Sequence, residues 1–324
     1  MKGTPLCSPC KEISLFRKND IILLIVEFGS IGLAIAFPES FTAFLPYPFY
    51  LMMVFLFFSF LKVEFGEVLQ HIKETISIIP ILCLFKLVLL PIGLFYLFHL
   101  LWPKYAIPVL LLSGVSTGVM APFFSGLLNA STLLALMMVV LSSLLVPFTL
   151  PALVKLLAGQ AIQISFLSMV EMLVMVVFIP ALTAILTRQF SPSFSKRLEK
   201  IQFPVSMVLL ALVSFGIFPK YSSFFRERPA DLLEPIFVAY FLSVIYHLVG
   251  YLATRSVKKG DRFGGAISFA NMNNVLIIVF SAQFFGFLSP TLAAVYMLPF
   301  FTMIIPLRAI GEKIHHRELK ENDA

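Results

Sequence analysis

Ten apolar stretches follow one another along this chain of 324 residues. Each is close to the roughly 20 residues that a helix needs to cross a bilayer. They fall at about 20–37, 45–62, 76–101, 106–128, 131–157, 161–187, 202–219, 233–254, 263–286 and 290–311. At bilayer depth a backbone must satisfy its own hydrogen bonds, so the pattern implies an all-α membrane protein. A charged fraction of 13%, against roughly 25% in soluble domains, excludes soluble folds. Two of the stretches are not purely apolar. Ser113-Gly114-Val115-Ser116-Thr117-Gly118-Val119-Met120-Ala121-Pro122 interrupts the fourth, and Ser268-Phe269-Ala270-Asn271-Met272-Asn273-Asn274-Val275-Leu276 the ninth. Gly and Pro weaken a helix, and freed backbone groups at membrane depth survive only beside a polar cavity. Two interrupted helices in matching places of two halves point to a transporter's binding site.

The net charge of +7 is distributed unevenly. With the N-terminus inside, 18 of the 24 Lys and Arg fall on inner loops and tails and 5 on outer loops. This bias predicts both termini in the cytoplasm, an even number of spans and an inner (cell) membrane location, and it explains the charge without nucleic acid. The expected divisions are a tail at 1–19, a first half at 20–158, a second half at 161–312 and a tail at 313–324. Five spans per half make any repeat an inverted one. Residues 118–126 resemble 274–282 at an offset of 156, which superposes the two interruptions. Cys7 and Cys10 form a lone Cys-x-x-Cys with no second pair, weak grounds for a metal. No metal and no cofactor are expected.

Lys86 lies about ten residues into the third span, and an intramembrane Lys marks a functional site by default. It is the candidate coupling residue. Asn271, Asn273 and Asn274, with Ser116 and Thr117, converge if the two interrupted helices cross. Helix N-termini exposed there favour an anion, so these five are the candidate substrate-binding residues. Interhelical polar contacts are the alternative for them. His247 in the eighth span and Glu171 in the sixth are further candidates, Glu171 being equivalent to Glu27 in the first.

Gly114 to Met120, Pro147-Phe148-Thr149-Leu150-Pro151-Ala152 and Leu156-Leu157-Ala158-Gly159 resemble the fourth and fifth helices of the bile acid:sodium symporter family. His247-Leu248-Val249-Gly250-Tyr251-Leu252 and Ser268 to Leu276 resemble its eighth and ninth. The resemblance covers roughly residues 60–310. It implies ten helices in two inverted five-helix repeats. A panel domain (helices 1, 2, 6, 7) packs on a core domain (helices 3–5, 8–10), and helices 4 and 9 cross behind a cavity for an organic anion. Two sodium ions sit beside that crossing in the family. Here the acid that ligates both falls on Phe269, and the amide after it falls on Asn273, followed by Asn274. The fourth-helix Ser-Asn pair falls on Thr117 and Gly118, the fifth-helix hydroxyls on Ala135 and Val139, and the third-helix Gln on Lys86. Most sodium ligands are thus lost, and a cation stands where one ion belongs.

The expectation is a secondary transporter of small organic anions, sodium-independent, with Lys86 replacing a sodium ion by bonding Asn271 or Asn273. Sodium symport through altered sites is the alternative, and a membrane sensor that no longer transports is a second. The related arsenite efflux family calls for a Cys in the fourth helix and an acid in the ninth. The sodium/proton antiporter fold calls for intramembrane Asp. Neither set is present. Nor is His-Glu-x-x-His or Gly-x-Ser-x-Gly, which argues against an enzyme. The expected partners are the solute and the lipid bilayer, with the protein a monomer.

Overall fold

The computed structural model describes residues 18–61, 78–128, 130–159, 165–227, 229–255, 259–303, 306–307 and 310. Cys7, Cys10 and the 313–324 tail lie outside them. The described elements are helices: α1 (Lys18–Ala36), α2 (Pro48–Leu61), α3 (Ile79–Leu101), α4 (Ala106–Gly114), α5 (Ala121–Leu127), α6 (Thr132–Ala158) and α7 (Phe166–Phe190). They continue with α8 (Pro192–Ile217), α9 (Ser222–Glu227), α10 (Leu233–Ala253), α11 (Lys259–Ala270), α12 (Asn274–Phe284), α13 (Leu288–Val295) and α14 (Met297–Thr302).

Among the described residues five helices are long and apolar enough to cross a bilayer, or six if the bent pair Ile25–Ala36 and Pro38–Phe44 is one span. The chain is an integral, multi-pass membrane protein. Fewer helices qualify than the ten stretches expected, and the elements show why. The fourth stretch is cut into α4 and α5 and the ninth into α11 and α12, so neither half reaches spanning length. The second and tenth stretches give the short apolar helices Pro48–Leu61 and Leu288–Thr302.

Helix starts follow local chemistry. Ser131 caps α6 by accepting from the Leu134 N–H (3.2 Å), and Ser165 caps α7 by accepting from Ser168 (3.3 Å). In α3 the residues Phe85–Leu89 form one π-helical turn, with the Leu90 N–H reaching back to the Phe85 carbonyl. Pro91 follows directly; it has no N–H and crowds the carbonyl four residues before it, so the helix widens there. Lys86 lies inside this widened turn.

The helices pack in two groups. α1, α2, α7 and α8 pack on one another, α2 touching both α7 and α8. The second group gathers around the interrupted helices: α4 against α3 and α13, α11 against α10 and α6, α12 against α13. The groups meet where α6 packs on α7 and where α12 reaches α2 and α8. Glycine lets α10 and α11 close in, because a Cβ on Gly250 would strike the Gly265 carbonyl and Ala266.

Candidate functional site

The two interruptions cross. α4 ends at Gly114, and Val115 turns extended at ψ 159°. α11 ends at Ala270, and α12 restarts at Asn274. Between these ends the strands pair antiparallel, in a bridge of Thr117 with Met272. The Gly118 N–H donates to the Asn271 carbonyl (2.7 Å), and the Asn273 N–H to the Ser116 carbonyl (3.0 Å). Backbone meets backbone so closely that a Cβ on Gly118 would lie 2.6 Å from the Met272 oxygen. Only glycine fits there.

The groups freed by the breaks are largely answered. The Thr117 N–H donates to the Ser142 hydroxyl (2.9 Å), and the Thr117 hydroxyl to the Ser268 carbonyl (2.9 Å). The Tyr296 hydroxyl donates to the last carbonyl of α11, at Ala270 (2.7 Å). The carbonyl of Val115, just past the end of α4, is answered by Lys86, whose Nζ donates to it at 3.1 Å and to the Met272 Sδ at 3.3 Å. Lys86 is fully buried. Its Nζ therefore touches both interruptions.

Those partners correct the expected pairing of Lys86 with Asn271 or Asn273. Both asparagines serve their own chain. Asn271 Nδ2 donates to the Ile267 carbonyl (3.0 Å), within α11. Asn273 Oδ1 caps α12 by accepting from the Leu276 N–H (3.3 Å). The Asn273 oxygen is taken by its cap, and Lys86 Nζ lies against the Val115 carbonyl rather than the Asn271 oxygen.

The position assigned to the sodium-binding acid, Phe269, is a fully buried ring 6.1 Å from that of Phe85. Ala135 and Val139 are also fully buried. Among the described residues no three His, Cys, Asp or Glu cluster to hold a metal.

Beside the crossing lies a cavity of about 450 Å³. The second group contributes Gly118 to Met120 and Met272 to Val275 to its wall, with Met297, Phe300 and Phe301. From the first group come Phe55 and Ser59 of α2 and Gln202, Phe203, Ser206, Met207 and Leu210 of α8. Both groups thus face one space.

Of the candidate residues, Asn273 and Asn274 line this cavity; Ser116, Thr117 and Asn271 lie buried in the crossing outside its lining. His247 is half-buried on α10, its Nδ1 2.7 Å from the Ser243 carbonyl of the same helix, and does not line the cavity. Glu171 is exposed on α7, whereas its expected counterpart Glu27 is fully buried facing Ser214 of α8. The sequence reading passed over Gln202, Ser206 and Ser142. Gln202 opens the seventh stretch two residues after Lys200, where a single amide gives no signal like the clustered asparagines.

Fold and site together define a polytopic helical membrane protein in which two broken helices cross beside an internal cavity. The chain matches the model of the Sodium Bile acid symporter family over residues 49–226, more than half its length, and it belongs to that family. The match includes Lys86 and the first interrupted helix. No curated protein matches the chain in sequence.

Proposed function

We propose that the protein is a secondary carrier of small organic solutes that works by alternating access without sodium, the Lys86 ammonium taking the place of a bound sodium ion. The observation that carries this reading is the Lys86 Nζ at 3.1 Å from the Val115 carbonyl, in contact with both interrupted helices. A fixed cation there supplies the attraction for freed carbonyls that a mobile cation otherwise supplies. The lost ligands support it, since sodium needs several oxygens and Phe269, Ala135 and Val139 offer no side-chain oxygen. Net flux then follows the solute's own gradient or a proton gradient.

The cavity between the two helix groups supports rocking of one group on the other. In this reading α1, α2, α7 and α8 form the panel, the remaining spans form the core, and ten spans make two inverted halves at 20–158 and 161–312. Both termini lie in the cytoplasm, and the carrier sits in the inner membrane as a monomer. The small organic anion suggested by the resemblance remains the starting candidate for the solute.

A test that needs no known solute uses accessibility. In a background with Cys7, Cys10 and Cys83 replaced, Ser206→Cys places one thiol in the cavity wall. Membrane-impermeant thiol reagents applied to each face of sealed vesicles should label it from both faces, in sodium or choline alike. Labelling from one face under every condition would point to a non-transporting sensor. Labelling from the second face only in sodium would point to sodium coupling.

A further inference from the structure

We infer that Lys86 is the proton-binding site of the carrier: its side-chain nitrogen takes up a proton from the cavity on one face and returns it on the other, with Met272 as the plug between nitrogen and cavity. The inference rests on the reading of Lys86 as the substitute for a bound sodium ion. It names the proton as the coupling ion, which that reading leaves open.

The surroundings of the nitrogen suit both of its protonation states. Lys86 Nζ has two contacts, the Val115 carbonyl at 3.1 Å and the Met272 Sδ at 3.3 Å, and among the described residues no third. A neutral amine has two N–H groups and a lone pair, whereas an ammonium has three N–H groups. The two contacts satisfy the amine and leave the ammonium one hydrogen without an acceptor. The ammonium also lacks a carboxylate: the ion pair among the described residues is that of Lys104 with Glu234. An acid beside Lys86 would lock the proton in place. A single carbonyl and a weakly accepting thioether do not. Both forms are therefore accessible, as a group that loads and releases a proton requires.

The titratable neighbour of Lys86 is Cys83, one turn earlier on α3, its Sγ 3.6 Å from the Met138 Sδ. The π turn packs against α4 and α6. No residue of α4 is ionisable, and Lys155 of α6 lies near the end of that helix, over the Phe166 ring. Residues 115–120 and 271–273 of the crossing add no titratable group. Met272 separates the nitrogen from the cavity, since its Sδ touches Nζ and the same residue lines the wall. Methionine is unbranched and flexible, so rotation of one side chain opens the nitrogen to water in the cavity. The amine lone pair then takes a proton from hydronium and leaves water. In the reverse step water takes the proton as hydronium and the lone pair returns. The ammonium binds the Val115 carbonyl by a charge-assisted bond, the amine by an ordinary and weaker one. Protonation thus sets how firmly the two broken helices are joined beside the solute site.

The test uses the Ser206→Cys protein in sealed vesicles with the same pH on both faces. The ratio of labelling rates from the two faces cancels the thiol's own ionisation. Between about pH 5 and pH 9 this ratio should change by about threefold or more, as the populations of the two states shift. Lys86→Met keeps the site neutral and Lys86→Arg keeps it charged. Both should flatten the profile, Met at the level the parent reaches at high pH and Arg at its low-pH level. A merely structural lysine would not give that split. Where neither variant folds, Met272→Ala supplies a second measurement. With the plug cut back, acetic anhydride should acetylate Lys86, read by peptide mass, and the reaction needs the neutral amine. Its rate should level off by about pH 9, where an ordinary lysine still gains about tenfold per pH unit.

A flat parent profile with labelling from both faces would overturn the inference and leave the carrier reading standing as a passive one. A shift that survives in both Lys86 variants would place the proton elsewhere, on Glu27 or His247, and would overturn it as well. So would acetylation of Met272→Ala that is absent or still climbs tenfold per unit at pH 9. Labelling from one face at every pH would remove the carrier reading itself, and the inference with it.

Discussion

Lys86 shows how one side chain can hold a broken helix pair together. A Lys buried in a bilayer protein is costly unless it finds acceptors for its hydrogens. The Val115 carbonyl is such an acceptor, because the end of α4 leaves it without an intrahelical partner. Replacing Lys86 by Met keeps the volume and removes the ammonium. The loss should destabilise the protein by about 2 kcal/mol, the order expected for hydrogen bonds to a charged group, read as a lower thermal midpoint. Gly118 makes the complementary case. A Cβ there would sit 2.6 Å from the Met272 oxygen, so Gly118→Ala must push the strands apart. The cost should be at least the roughly 1–3 kcal/mol of ordinary overpacking, seen as reduced folded yield in detergent. The importance of Lys86 was legible from its depth in an apolar run. Its partners were not, because a backbone carbonyl belongs to every residue and leaves no mark in the sequence. The asparagines looked like partners, but the Asn273 oxygen caps α12 and Asn271 turns its Nδ2 back to the Ile267 carbonyl of α11.

The interrupted helices themselves were the most legible elements. Gly, Pro and clustered hydroxyls or amides at membrane depth marked both breaks, at 115–120 and 271–273. Antiparallel pairing between them needed the structure, since three-residue extended segments have no periodicity to read. The π turn at Phe85–Leu89 was equally hidden, although Pro91 pointed to some distortion in α3. Another contact between elements joins the two helix groups. Lys220, just past α8, donates to the Ala282 carbonyl in the last turn of α12 (3.3 Å). A cation at a helix C-terminus is favourable there. It lies ten residues beyond the cavity residue Leu210, about 15 Å along a helix. This contact ties the two groups together at that end. Lys220→Met should loosen it, so that a thiol introduced at Ser206 reacts about twofold or more faster from that face. An unchanged rate would show that the apolar packing alone keeps the end shut.

At the scale of the whole molecule, composition and hydropathy announced a membrane protein, and the residues around the two breaks resembled the family to which the chain belongs. Spanning helices were legible where they are continuous, as in α6 and α7. They were less so where a stretch is short or cut, because length is what identifies a span. The cavity was only half legible. Its Asn273 and Asn274 wall followed from the break, while the Gln202 and Ser206 wall depends on how α8 packs against it. In the proposed reading, a buried lysine in contact with both broken helices and the buried ring of Phe269 stand where the family holds sodium. The most direct measurement is the thermal unfolding midpoint of the purified protein and of Lys86→Met, each in sodium chloride and in choline chloride at equal ionic strength. A ligand that binds only the folded state must raise the midpoint as its concentration passes its Kd. The expected result is a wild-type midpoint that is the same in both salts and lower in Lys86→Met. A wild-type midpoint that rises with sodium and saturates would show that the ion still binds, and would contradict the account.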